Sequence, residues 1–441
     1  MSVITSIKSD SFVVKNVSVW NVEEILTAVD VYVNLGIITD IQPHDSQRKK
    51  NAYMEKMIDG TGLTLIPAGV DAQVHLRVPG QVQKETAKSG LQAAIHGGVG
   101  ALLTMPNTKP VLDCTRSAEL AYQELKDAEV STGVRVLLSS AITVGQRGRE
   151  LVDFEGMKHV GVAAFTDDGV GIQDDQIMLD ALRSAARVGL PLLQHAEVPG
   201  HGGVLHECKT QRSLGGVAYP KSAEIDMVAR DLRLLEQVPE ARYHVLHVSC
   251  LETLDLIDRA VAGGYKVTCE VSPHHLYFCA DDIPKDLTAF KMNPPLRSAE
   301  DQLALIQGLG SGRIQFMATD HAPHEAEVKG FNFKTSAFGT TGLETSLRVL
   351  LALWRRGHLT ISRLVEVWAT APAKFLGISQ NYGSLKVGRP CNATLVDVMA
   401  PDRVVMSFDM VGLSKNNCFI GTHLPGEIRA TILGSIIHTL K

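Results

Sequence analysis

The chain has 441 residues, 45% of them hydrophobic and 38 of them glycine, with a formal net charge of −5. That length suits one large α/β domain with a smaller one beside it, and the acidic balance argues against the basic footprint that nucleic acid requires. No window reaches the run of about 18 uncharged apolar residues that a membrane span needs. The start, MSVITSIKSDSFVVKN, lacks the basic-then-apolar pattern of an export signal, so no membrane partner and a cytoplasmic location are expected.

The first 62 residues read as short strands and turns: SFVVKNVSVWN, then VDVYVNLGIITDIQP with Val31, Val33 and Leu35 in alternation, then KMIDGTG. From Thr64 the texture changes. Apolar runs (LTLIPAGVDAQVHL, VGALLTMPN, VRVLLSSAIT, VGVAAFTDD, LPLLQHAE, YHVLHVSC, YKVTCEVSPHH, IQFMATDHAP) alternate with helical patterns such as KETAKSGLQAAIHGG, Thr115 to Ala128, and QIMLDALRSAARVG. Near-continuous apolar strands separated by amphipathic helices imply a parallel sheet covered on both faces. At least eight such repeats over roughly 300 residues predict a (β/α)8 TIM barrel. An open doubly wound sheet would call for a Gly-rich phosphate loop after its first strand, and none is present. The tail, from YGSLKVGRPCNATLVDV onward, returns to strands and turns. The expected division is a small β-sandwich-like domain built from residues 1–62 and 380–441, with a barrel over 63–379. The seven cysteines are scattered, odd in number and without a CxxC pair, which fits reduced thiols.

Barrel enzymes carry their chemistry where each strand ends. In GVDAQVHLRVPG, Asp71, Gln73, His75 and Arg77 alternate, so on a continuous strand all four would face one space. Later runs end in Asn107, Asp167 with Asp168, His195, His247, His274 with His275, and Asp320 with His321 and His324. One such histidine is more often a hydrogen-bonded structural residue than a ligand. Six or more at one barrel mouth form a set suited to zinc. Asp168, His195 and His247 offer one carboxylate and two imidazoles; His75 and Asp320 add two more donors, enough for one ion or for two sharing a hydroxide. A bound metal brings the pKa of water to about 7, and Asp320 could pass a proton to a leaving nitrogen. The chemistry so implied is metal-assisted hydrolysis, or its reverse, at a C–N or ester bond.

The segments VDAQVHLRVPG, MPNTKP, AFTDDGVGIQ, LLQHAE, HVLHVS, EVSPHHL, KMNPPLR and ATDHAPH, with the later AFGTTGLETSL and GSLKVGRPCNATLVD, resemble in order the signature segments of dihydroorotases, metal-dependent barrels of the amidohydrolase superfamily. The resemblance implies reversible cyclisation of N-carbamoyl-L-aspartate to L-dihydroorotate in pyrimidine biosynthesis. It implies Zn²⁺ held by His75, Asp168, His195, His247 and Asp320, with Asp320 also the catalytic acid/base. Arg77, Asn107 and His324 would clamp the substrate carboxylate, and Asn293 would contact its ring. Gln73 stands where relatives carry the first His of an HxH metal pair, and a neutral amide oxygen is a poorer zinc ligand, so the first of two metal positions is the uncertain one. Two alternatives accompany the main reading: a catalytically inactive subunit scaffolding aspartate transcarbamoylase, and a hydantoinase- or allantoinase-like cyclic amidohydrolase. The family also implies a homo-oligomer. Val78, on the opposite face from Arg77, is expected to affect packing. The segment from Asp231 to Val238 reads as barrel surface; His96, His159 and His201 lack a motif partner; His274 and His275 are expected to be structural or to lie behind the ligands.

Overall fold

In the computed structural model, which describes residues 4–46, 55–284 and 288–440, eight parallel strands neighbour one another in chain order. They are β1 Gly69–Val74, β2 Val99–Thr104, β3 Arg135–Ser140, β4 Ala164–Thr166, β5 Leu192–Gln194, β6 Arg242–Val245, β7 Lys266–Val271 and β8 Phe316–Met317. The barrel closes through one parallel bridge between Val74 and His321, where the His75 amide donates to the His321 carbonyl at 2.8 Å. The runs are mostly apolar because both faces are covered. Ala101 and Leu103 of β2 join Val70, Leu193 and Phe316 in one cluster, while Leu102 between them packs in the larger cluster with Val136, Leu138 and the surrounding helices. Helix Ala371–Phe375 contributes Ala373 to the first cluster. Close by, a Cβ on Gly69 would lie 2.3 Å from the Trp368 ring, so only glycine fits the start of β1.

The helices start and stop where local chemistry directs. Asp174 caps Asp175–Val188 by accepting from the Ile177 amide, and Gly189 ends it at φ 73. The expected surface position of Asp231 is corrected. It lies on helix Ser222–Leu235 but is fully buried, accepting from Gln194 Nε2 (2.8 Å), the Tyr243 hydroxyl (2.7 Å) and Arg230 Nε (2.6 Å). A charged residue faces inward here because two donors from neighbouring strands and one from the adjacent Arg230 meet it.

A separate, mainly antiparallel sheet of nine strands takes Ile4–Lys8, Ser11–Trp20, Ile25–Asn34, Ile37–Pro43, Lys56–Asp59 and Thr64–Pro67 from the first part of the chain. Asn392–Asp397, Glu427–Leu433 and Ile436–Leu440 come from the last part. Thr64–Pro67 lies between Ser11–Trp20 and Asn392–Asp397, so it joins the two ends of the chain. Only Ala68 separates it from β1. The alternation expected through Leu35 stops at Val33. Leu35 and Gly36, at φ 49 and 76, reverse the chain between Ile25–Asn34 and Ile37–Pro43, leaving Leu35 70% exposed. Among the described residues no helix is long and apolar enough to cross a membrane.

Candidate active site

The polar row on β1 is divided by the way the strand ends. Asp71 is spent on the chain just past β8: its carboxylate accepts from the Thr319 amide at 3.0 Å and the Thr319 hydroxyl at 2.6 Å. Burial raises its pKa to about 6 against those bonds. Gln73 is fully buried and donates its Nε2 to Asp168 Oδ1 at 3.4 Å. The reverse orientation would set amide oxygen against carboxylate oxygen. Its Oε1 is left buried without a partner. β1 ends at Val74, so His75 and Arg77 stand on its exit, Arg77 at φ 61. Thus the four residues do not share one space: His75 and Arg77 line the cavity at the mouth, whereas Asp71 staples strands and Gln73 lies behind Asp168. Val78 is buried in the helix-layer core.

That cavity, 240 Å³, takes a residue from nearly every strand end: His75, Arg77, Asn107, Asp168, His195, His247, Asn293, Asp320 and His324 all line it. Arg77, His247 and Asp320 have positive φ (61, 33 and 48), a conformation costing a non-glycine residue about 1–3 kcal/mol and concentrated at functional sites. Asp167 is turned away from the cavity. It accepts from the Ile142 amide at 2.7 Å and from the Thr143 amide and hydroxyl, so Asp168 is the member of the pair that enters.

Asp168, His195 and His247, all buried, present donor atoms within 4.8 Å of one another. His195 Nδ1 and His247 Nε2 are 3.0 Å apart and lie 3.6 and 3.7 Å from Asp168 Oδ1. His195 donates its other nitrogen, Nε2, to Glu197 Oε2 at 3.2 Å, so Nδ1 is the atom it turns toward the trio. Burial lowers its pKa, but Asp168 and Glu197 outweigh it and raise it to about 10. One carboxylate oxygen and two imidazole nitrogens converging on one buried point fit a divalent metal. On the other side, His75 Nε2 lies 3.1 Å from Asp320 Oδ1 and 3.2 Å from Asp168 Oδ2. His75 Nδ1 bonds Asn107 Oδ1 at 2.9 Å. Burial lowers the His75 pKa, but the two carboxylates outweigh it and raise it to about 9. Burial likewise works to raise Asp168, yet bonds from His195, His247 and His75 hold it well below the usual carboxylate range.

Arg77 is only 7% exposed. It donates Nε to the Pro323 carbonyl at 3.3 Å and Nη2 to His324 Nε2 at 3.2 Å, leaving further N–H groups for a planar carboxylate. Burial, then the charge of Arg77, push His324 down to about 2, so its ring is neutral: Nε2 accepts from Arg77 and Nδ1, which has no protein partner, carries the proton. Asn293 donates Nδ2 to Glu197 at 2.7 Å while its Oδ1 has no partner and can accept from a ligand N–H.

Sequence reasoning missed three residues of this region. Glu197, two positions past His195, accepts from His195, Asn293 and His201 (2.8 Å). Burial works to raise its pKa, but the bonds from His195 and Asn293 bring it down to about 2. His201, expected to have no motif partner, is therefore tied into the site. The spacing from His195 in LLQHAE was the available signal. Asn416 accepts from the His324 amide at 3.1 Å and donates to the Ala322 and Gly339 carbonyls; nothing in the sequence places residue 416 at the barrel mouth. The third is Lys329. His275 bonds the Pro294 carbonyl at 3.2 Å, behind Asn293, and His274 is buried beside it.

The "Dihydro-orotase-like" family model matches residues 62–253. A dihydroorotase of Bacillus thuringiensis (strain Al Hakam) is 38% identical over 430 residues, covering 97% of this chain and 98% of its own. The chain belongs to the dihydroorotase family. A dihydroorotase of Shouchella clausii (strain KSM-K16) is 39% identical over 92% of both chains. Among solved structures, L-hydantoinase (dihydropyrimidinase) from Arthrobacter aurescens superposes with a TM-score of 0.83 at 25% identity, covering 96% of this chain and 94% of that one. Dihydropyrimidinase from Brevibacillus agri NCHU1002 gives 0.79 at 20% identity over 97% and 94%, which speaks for the fold alone. As a dihydroorotase-family barrel, the chain is a metal-dependent cyclic amidohydrolase.

Proposed function

We infer that the chain is a working dihydroorotase that interconverts N-carbamoyl-L-aspartate and L-dihydroorotate in pyrimidine biosynthesis. The observation that carries this reading is one 240 Å³ cavity lined both by the Asp168, His195 and His247 donors and by the Arg77–His324 corner. A hydantoin or dihydropyrimidine ring carries no carboxylate for that corner.

The trio would hold the metal, and its two nitrogens and one carboxylate oxygen suit Zn²⁺. When bound, the ion supplies Lewis acidity and a lowered pKa for water. The remaining work belongs to side chains. Arg77, His324 and the amide of Asn107 bind the α-carboxylate, and Asn293 Oδ1 accepts from the ring. Asp320 moves the proton: in hydrolysis an oxygen–carbon bond forms at the ring amide, the C–N bond breaks, and Asp320 carries the proton from water to the departing nitrogen. In cyclisation the same atoms run in reverse and water leaves. His75, hydrogen-bonded between the two carboxylates, fixes Asp320 beside Asp168. Gln73 faces Asp168 with its N–H₂ group, which supports a single firm metal at the trio.

The test is turnover of dihydroorotate by purified protein with added Zn²⁺ against a chelated control, alongside hydantoin, dihydropyrimidine and allantoin. No metal-dependent dihydroorotate turnover, or a preference for an uncharged ring, would overturn the reading. Co-purification with aspartate transcarbamoylase tests that partner expectation separately.

A further inference from the structure

Lys329 ends the short helix Ala326–Lys329 and is only 4% exposed. Its Nζ donates to three backbone carbonyls, those of Lys291 (3.2 Å), Ala337 (2.9 Å) and Gly339 (2.9 Å). An ammonium has three N–H donors, so all are used, and none goes to a carboxylate. Each acceptor lies in a segment that borders the cavity. Lys291 is two residues before Asn293; Ala337 and Gly339 flank Phe338; Lys329 itself is five residues past His324. The same segments are cross-tied elsewhere. The Gly339 amide donates to the Lys291 carbonyl at 2.8 Å. Lys291 Nζ reaches the Lys334 carbonyl at 2.9 Å and sits 4.5 Å over the Phe338 ring.

Burying an ammonium is costly. Burial, then the nearby charge of Lys291, pull the Lys329 pKa down to about 7. A methionine would fill the same volume without that cost, but could not hold three carbonyls at fixed separations. Directional bonding from its own segment to two others, at Lys291 and at Ala337–Gly339, is what the charged side chain adds.

We propose that Lys329 is a positioning residue for the reaction: its ammonium holds the segments of Asn293, His324 and Phe338 in one arrangement, so that the carboxylate and ring contacts meet the substrate together. The inference rests on reading Arg77, His324 and Asn293 as substrate contacts.

The experiment uses the full-length, zinc-loaded protein and compares Lys329→Met, Lys329→Gln, Lys329→Ala and Arg77→Met. Zinc content, thermal midpoint, kcat and KM for dihydroorotate are measured for each. A misplacement of this kind can cost about 10²-fold, read here as a rise in KM. That rise is expected in Lys329→Met, with zinc content unchanged and kcat affected much less. A smaller rise is expected in Lys329→Gln, which keeps an N–H₂ group. Added propylammonium should lower the KM of Lys329→Ala. An unchanged KM in folded Lys329→Met overturns the inference, as does loss of zinc in step with activity. Failure of all three Lys329 variants to fold makes the residue a folding determinant and overturns it too. An unchanged KM in Arg77→Met instead overturns the reading of the substrate contacts, a result distinct from any Lys329 outcome.

Discussion

The side of the cavity built by β4, β5 and β6 and the side built by β1 and β8 carry the same residue types, carboxylates and imidazoles, yet they face different partners. On the first side, His195 and His247 turn nitrogen atoms toward each other 3.0 Å apart, with one Asp168 oxygen beyond them. On the second, His75 lies within 3.2 Å of both Asp168 and Asp320, and an amide stands at position 73. Three donors converging on one buried point suit an ion. His75 instead gives one nitrogen to both carboxylates and the other to Asn107, so neither nitrogen is left to face an ion. The contrast follows from one residue: an imidazole at position 73 would add a lone pair on the second side, whereas the amide adds a donor.

Breaking the first side should have the largest effect. His247→Ala removes a nitrogen of the trio, so metal content should fall below stoichiometric and activity should drop to that of the chelated enzyme; metal analysis with a turnover assay checks both. Next is Asp320→Asn, which keeps the shape but cannot accept the proton. A fall in kcat of about 10²–10⁴-fold is expected with metal at the trio retained, and loss of the metal together with kcat would assign Asp320 to ligation instead. Glu197→Gln weakens the bond that orients His195, and metal affinity should fall by about 10–100-fold in a chelator competition. Gln73→His sharpens the comparison directly: metal content should rise from one toward two ions per chain, and an unchanged stoichiometry counts against the role given to Gln73. The smallest effect on turnover is expected from Thr319→Val. It removes one donor from buried Asp71 and should cost about 1–3 kcal/mol of stability by denaturant unfolding, with KM for dihydroorotate little changed.

Legibility in the sequence followed how local each determinant is. Asp168, His195 and His247 each sit immediately beyond an apolar run, so the barrel pattern alone brought them to one mouth. Asp71 and Gln73 matched that pattern equally well but went elsewhere, because Thr319 offers Asp71 two donors across the β8–β1 closure and Asp168 draws the Gln73 amide. Glu197 was half legible, two residues from His195. Lys329 and Asn416 were not legible, since their partners are backbone carbonyls and amides of other segments, which no side-chain pattern records.

The sequence by itself therefore determined the parallel barrel, the family and the residue types at the strand ends, because these depend on near-continuous apolar runs alternating with amphipathic helices and on short ordered motifs. Tertiary structure decided which of those residues face the cavity, which way the Gln73 amide points, and which distant segments hold His324 and Asn293 in place. Those outcomes depend on hydrogen bonds between residues as far apart as His324 and Asn416, and such bonds form only where the closed barrel brings the segments together.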